Sequence, residues 1–238
     1  MSKTTITKVD TTRWAKAQEF ELSFAQNNVN HGDDYNHWWR KQFDNYKVLN
    51  KLTLPSVLEV GCGPHTNIRL ILPLINFSRL LLEDPLIHSY LCMKKQKQIA
   101  NINIFSLPVE IVHLQKKFNA SLLSEPLEEL SCEDESIDLC VCINVLDHVR
   151  DSDTCLHQIE RVTKKGGIII IGQDLSNQED QILCPESWND TGHPIKMDKS
   201  YLDDRLSYLS PLLFKVLPRE EGRNPRCHYG TYIMIGRK

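Results

Sequence analysis

The sequence predicts an α/β fold: a mostly parallel sheet of seven strands with helices on both faces, entered through a helical N-terminal segment. Three observations carry this expectation. From Val57 onward, short apolar runs alternate with stretches of helical periodicity. The first run, Val57-Leu58-Glu59-Val60, closes on Gly61-Cys62-Gly63-Pro64, which reads as a buried strand entering a tight turn. The second run ends in Glu83-Asp84-Pro85, an acidic strand end about 20 residues beyond the glycines, the spacing of a ribose-binding acid.

Each element follows in order. Residues 1–55 show no strand pattern; helices are expected from Trp14 to Phe24 and from Asp34 to Leu52, and the segment is expected to form a helical cover on a domain of residues 56–238. The second helix carries His37-Trp38-Trp39-Arg40, Phe43 and Tyr46, an aromatic stripe that either joins the core or lids a ligand, with Trp38 and Trp39 as substrate contacts in the second case. Strand one is Ser56 to Val60. Glycine at 61 and 63 lets the chain turn sharply and leaves room for a ligand against the backbone. A helix is expected behind it to about Ile75, with Pro64 at its entry, Thr66 or Asn67 as cap, and its positive end aimed at the turn.

Strand two is Arg79 to Glu83, with a helix from Leu86 to Ile99. The stretch Asn101 to Phe118 has room for a short helix at 111–117 before a third strand at Ala120 to Ser124. Strands four and five are Ile137 to Ile143 and Gly167 to Gly172, joined by a helix from Asp153 to Lys164 that Lys165-Gly166-Gly167 ends. A loop from Leu175 to Met197, a helix from Lys199 to Leu209, and strands Leu213 to Leu217 and Tyr229 to Ile235 complete the chain.

The 238 residues suffice for one full core, and a net charge of −3 gives no basic field to attract nucleic acid or a membrane surface. Eight cysteines lie without framework spacing, no apolar stretch reads as a signal peptide or membrane span, and a cytoplasmic protein with reduced thiols is expected. Cys140 and Cys142 share a strand face, no Cys-x-x-Cys pair exists, and no metal site is expected.

Five segments in the right order carry a family resemblance: Glu59-Val60-Gly61-Cys62-Gly63, Glu83-Asp84-Pro85-Leu86, Leu130 to Asp138, Asn144-Val145-Leu146-Asp147-His148-Val149, and Lys165-Gly166-Gly167. Together they resemble the Rossmann-like, class I S-adenosylmethionine-dependent methyltransferases. The resemblance implies that cofactor contacts come from Glu59, Gly61, Cys62 and Gly63, from Asp84 (with Glu83 as the alternative ribose acid) and Pro85, from Glu125 and Pro126, and from Asn144. Glu125 matches the acid that meets the adenine amino group. Where the family often has a third glycine, this chain has His65. A nicotinamide dehydrogenase ranks behind, because Thr66 stands where its third glycine would fall.

The acceptor end is read from the loops at the strand ends. Neither Asp-Pro-Pro-Tyr nor Asn-Pro-Pro-Tyr follows strand four, and no Pro-Cys pair is present, so methylation of nucleic-acid bases is not expected. Trp188-Asn189-Asp190-Thr191-Gly192-His193 places an aromatic, an acid and a histidine in one loop, with Trp188 as a substrate contact. His193 and His148 are the candidate general bases, and His228 is a third. The segments around Trp38 and Gly63 also resemble small bacterial methyltransferases acting on sugars or other metabolites. A small-molecule hydroxyl or amine is the expected acceptor, with a protein methyltransferase or a non-catalytic S-adenosylmethionine-binding protein as alternatives.

Overall fold

A computed structural model describes residues 5–27, 32–95, 109–113 and 116–238. Its strands are β1 (Ser56–Val60), β2 (Arg79–Glu83), β3 (Val109–His113), β4 (Lys116–Leu123), β5 (Ile137–Ile143), β6 (Thr163–Leu175), β7 (Ser210–Pro218) and β8 (Gly230–Arg237). They form one sheet in the order β3-β4-β2-β1-β5-β6-β8-β7. The five strands β4, β2, β1, β5 and β6 run parallel, while β8 is antiparallel to both β6 and β7. The seven expected strands are all present. An eighth, β3, adds to the edge antiparallel to β4, where the sequence left room for a helix at 111–117.

Alternation along the central strands divides the core into two faces. Val57, Leu80, Leu82, Leu139, Val141, Ile168 and Ile170 point to one side, against Trp39, Phe43, Tyr46, Ile68 and Ile71. Leu58, Val60, Leu81, Cys140, Cys142, Ile169 and Ile171 point to the other. There they meet Cys155, Leu156 and Ile159 of α4 (Ser152–Val162) and Leu202 of α7 (Lys199–Arg205). Because β1 and its neighbours are covered on both sides, their sequences read as continuous apolar runs.

The N-terminal segment is less separate than expected. A helix α1 (Thr11–Asn27) lies over the carboxyl ends of the strands with only Ala17 and Ala25 buried. The next, α2 (Gly32–Gln42), sinks Trp39 into the core so closely that a Cβ at Gly172 of β6 would stand 2.8 Å from its ring. The single helix expected to run to Leu52 breaks after Gln42, where Asp44, Asn45 and Tyr46 take positive φ and a 3-10 segment, Asp44–Leu49, follows.

The helix expected behind the glycine turn is two short 3-10 segments, Ile68–Leu70 and Leu72–Leu74, the second containing Pro73. Beyond β2 lies α3 (Ile87–Lys95); the last residues of the helix expected to Ile99 fall outside the described residues. The 175–197 connection holds two short helices, α5 (Gln178–Leu183), closed by an Asn177/Asp180 capping box, and α6 (Pro185–Trp188). All cysteines are free, and no helix among the described residues is long and apolar enough to cross a membrane.

Candidate active site

The site grows from the end of β1. Gly61 and Gly63 have φ of +55° and +57°, which glycine adopts without strain. They differ in what surrounds them. A Cβ on Gly61 would lie 2.5 Å from Val145, so the turn is packed tightly on the loop after β5, whereas a Cβ on Gly63 would meet no protein atom within 4 Å.

Glu59 fixes this turn from beneath. Its buried carboxylate accepts from Thr66 Oγ1 and from the backbone N–H groups of Asn67 and Ile68. The amides expected to form a helix end facing a ligand are therefore spent on Glu59, which does not line the cavity. Burial pushes the Glu59 carboxyl up to about 7, against the pull of these donors.

The two acids ending β2 grip the turn from the side. Gly61 N donates to Glu83 Oε2 at 3.0 Å, and Gly63 N donates to Asp84 Oδ2 at 2.9 Å. Asp84 also accepts from Leu86 N, while Glu83 Oε1 is buried and accepts nothing. Burial raises the Asp84 carboxyl to about 6; burial and then the charge of Asp84 raise that of Glu83. Asn144, at positive φ just past β5, likewise keeps a buried Oδ1 without a hydrogen-bond partner.

These groups open on a cavity of about 930 Å³ that extends to the histidines. One stripe of α1, at Trp14, Gln18, Glu21 and Ala25, forms its roof, joined by Tyr35 and Trp38 of α2. Gln18 donates to the His148 carbonyl, and Arg13 donates to the carbonyls of Asp190 and Thr191, tying the roof to the loops that follow β5 and β6. Arg223, in the connection from β7 to β8, lines the far wall, paired with Asp174 at 2.9 Å and stacked over the Tyr35 ring.

At the far end His148, His193 and His228 converge from three loops; the His148 and His193 rings lie 4.6 Å apart. His148 Nδ1 lies 3.0 Å from the Gly192 carbonyl, and His193 Nδ1 lies 2.6 Å from Asp190 Oδ2. Burial would lower the pKa of His193, but the hydrogen bond to Asp190 and the charge of Asp147 raise it overall. Burial would raise the Asp147 carboxyl, but His148 and His193 beside it hold it well below the usual carboxylate range.

The structure thus brings Gly61, Cys62, Gly63, Asp84, Pro85, Pro126, Asn144, Trp38, His148 and His193 to one cavity. Besides Glu59, three expected contacts stand elsewhere. Trp39 is 0% exposed and belongs to the core, its ring edge-on to Trp38. Trp188 lies under Lys196 and does not line the cavity, although Ser187 and Asp190 of its loop do. Glu125 turns back to accept from Ser131 N and Oγ, so it does not reach the cavity that its neighbour Pro126 lines. Glu21, Tyr35 and Arg223 were not anticipated. The α1 stripe had a signal in its 14-18-21-25 spacing; Arg223 lies in a connection with no pattern.

The glycine turn, the acids ending β2 and the roofed cavity at the strand ends define a Rossmann-like sheet built to hold a nucleoside-type cofactor. Residues 86–171 match the family model of a methyltransferase domain. Among solved structures the chain is similar to the N-methyltransferase NodS from Bradyrhizobium japonicum in complex with S-adenosylhomocysteine, at 15% identity and TM-score 0.58, over 96% of this chain and 99% of that one. It is similar also to the 1,6-didemethyltoxoflavin-N1-methyltransferase of Burkholderia thailandensis, at 12% identity and TM-score 0.55, over 97% and 91%. A third similar structure is the [4+2]-cyclase SpnF, at 14% identity and TM-score 0.60, over 99% of both chains. At these identities the likeness is one of fold. No curated protein matches the chain in sequence. Over residues 86–171 the chain carries a methyltransferase domain, and its sheet has the Rossmann-like fold of S-adenosylmethionine-dependent methyltransferases.

The residues present fit that cofactor. The space over Gly63 admits a ligand against the backbone, and the open Glu83 Oε1 and Asn144 Oδ1 are acceptors suited to ribose hydroxyls and an ammonium group.

Proposed function

We propose that this methyltransferase acts on a small-molecule acceptor, a hydroxyl or amine of a sugar or other metabolite, held at the histidine end of the cavity. The observation that carries the reading is the cavity itself. At about 930 Å³ it lies at the upper end of small-molecule sites, roughly 300–1,000 Å³, so a cofactor at the glycine turn leaves room for a modest second ligand. The α1 and α2 roof favours a metabolite over an extended peptide, which would need an open groove. The similarity to the 1,6-didemethyltoxoflavin-N1-methyltransferase, whose structure holds 1,6-didemethyltoxoflavin, supports it.

When bound, the cofactor supplies a methyl group activated on a sulfonium. The chain's task is then alignment, exclusion of water and disposal of one proton. Asp84 takes the ribose hydroxyls, with Glu83 beside it as the alternative acid, Pro85 and Pro126 flank the adenine, and Asn144 meets the methionine end. Residues 1–55 act as the cover: α1 and Trp38 close over both ligands and keep water out. His193, oriented by Asp190, accepts the proton of the acceptor group, with His148 beside it. The labelled-methyl experiment tests this reading: S-adenosylmethionine carrying a labelled methyl is incubated with the protein and either metabolite pools or protein extracts. Label is expected in low-mass products. Label confined to proteins would replace this reading with the protein-methylating one. No label in any fraction would favour a binding protein, or chemistry other than methyl transfer, as the cyclase name of SpnF illustrates for this fold.

A further inference from the structure

The spacing of cysteines and histidines along the chain gives no metal motif, yet the fold assembles a set of ligands from two loops. Asp147 and His148 follow β5, and His193 comes from the 175–197 connection; one ligand atom from each lies within 4.8 Å of the others. Asp147 is 4% exposed, and its Oδ1 accepts no hydrogen bond, 3.6 Å from His148 Nε2. A buried carboxylate oxygen left without a donor is costly unless a cation or donor meets it.

The two imidazoles are already oriented for ligation. His193 sets Nδ1 against Asp190 and His148 sets Nδ1 against the Gly192 carbonyl, so with Nδ1–H donating, each Nε2 carries the free lone pair. Carboxylate and carbonyl partners on the second ring nitrogen are the usual support for a metal-bound histidine. Two imidazoles and one carboxylate select borderline divalent ions over calcium or magnesium, and leave a coordination position open to the cavity. Bonds of about 2.0–2.2 Å require the ligand atoms to draw together by roughly an ångström, within reach of small side-chain rotations.

We propose that Asp147, His148 and His193 bind one divalent ion of the zinc, cobalt or nickel type, and that the bound ion suppresses methyl transfer by occupying the His193 nitrogen that would take the acceptor's proton. The suppression rests on the function proposed above; the binding does not. Cobalt(II) is the probe, added to the tag-free, chelator-treated full chain and followed by visible absorption. One equivalent should bind, with bands of a low-coordinate nitrogen–oxygen site, and His193→Ala, His148→Gln and Asp147→Asn should each lose at least tenfold in affinity. S-adenosylhomocysteine binding by the same variants certifies that they are folded. No uptake by the wild-type chain, or uptake unchanged in folded variants, would overturn the site. Once an acceptor is in hand, one equivalent of zinc should abolish transfer while cofactor binding persists; full activity with zinc bound would overturn the suppression alone.

Discussion

His193 Nδ1 lies 2.6 Å from Asp190 Oδ2, and the His193 backbone N–H donates to the other oxygen of the same carboxylate at 2.8 Å. The acid therefore fixes both the ring and the backbone that carries it, and His193 lines the cavity. With metal removed, His193→Ala is expected to lower the maximal rate by about 10²-fold or more, the scale of a lost general base. Asp190→Asn should lower it less, by releasing the ring. Cofactor affinity should be unchanged in both, and rate series with calorimetry alongside check this. If His148→Ala is the damaging change and His193→Ala is silent, the proton goes to the other ring.

The paired acids ending β2 give a pH dependence with opposite signs for binding and folding. Asp84 titrates near 6 instead of its ordinary 3.8 because it is buried. Ribose hydroxyls donate best to the ionised form, so cofactor affinity should fall about tenfold per pH unit below 6. For the unliganded protein the raised value works the other way: its contribution to stability is full below about 4 and is lost as pH rises through about 6. Calorimetry and melting curves from pH 5 to 8 should show both slopes, and Asp84→Asn should flatten them. Asp84→Ala is expected to weaken cofactor binding by about 1–3 kcal/mol. An effect from Glu83→Ala with Asp84→Ala silent would move the ribose role to Glu83, whose Oε1 stands open.

Adjacent tryptophans on α2 should behave as different kinds of residue. Trp39→Ala removes a fully buried ring packed on Gly172 and is expected to cost about 3–5 kcal/mol of stability. Trp38→Ala, at the cavity wall, should cost much less stability and mainly weaken ligand binding. Denaturant melts and calorimetry on the pair decide the matter, and equal stability losses would make both of them core.

Deleting residues 1–30 removes α1, which buries only Ala17 and Ala25 but supplies Trp14, Gln18 and Glu21 to the roof. Turnover should fall far more than stability. Proportionate losses of both would make the segment part of the core.

The parallel sheet was legible because strands buried on both faces must be apolar throughout, as in Val57 to Val60 and Ile168 to Ile171, and glycines must mark a turn pressed against Val145. The break after Gln42 was not, since Asp44, Asn45 and Tyr46 take left-handed backbone only because Tyr46 and Leu49 are drawn into the core. Nor was the loss of the helix behind Gly63: Glu59 reads as a cofactor acid in sequence, and its capture of Thr66, Asn67 and Ile68 is tertiary. The three histidines were legible one by one as candidates, but not as a cluster. His148 and His193 are 45 positions apart, and only the fold brings their rings to 4.6 Å.

The central claim is that the glycine turn of this cavity holds S-adenosylmethionine, and Gly63 offers the most direct test. Gly61→Val would collide with Val145, but a side chain at Gly63 points into space no protein atom occupies. Titration calorimetry with S-adenosylhomocysteine should show one site in the wild-type chain and no measurable binding in Gly63→Val. That variant should still melt cooperatively, lowered only by about 1–2 kcal/mol for its left-handed backbone. No heat and no thermal shift from the wild-type chain at millimolar ligand, or unchanged binding by the Gly63→Val variant, would contradict the account.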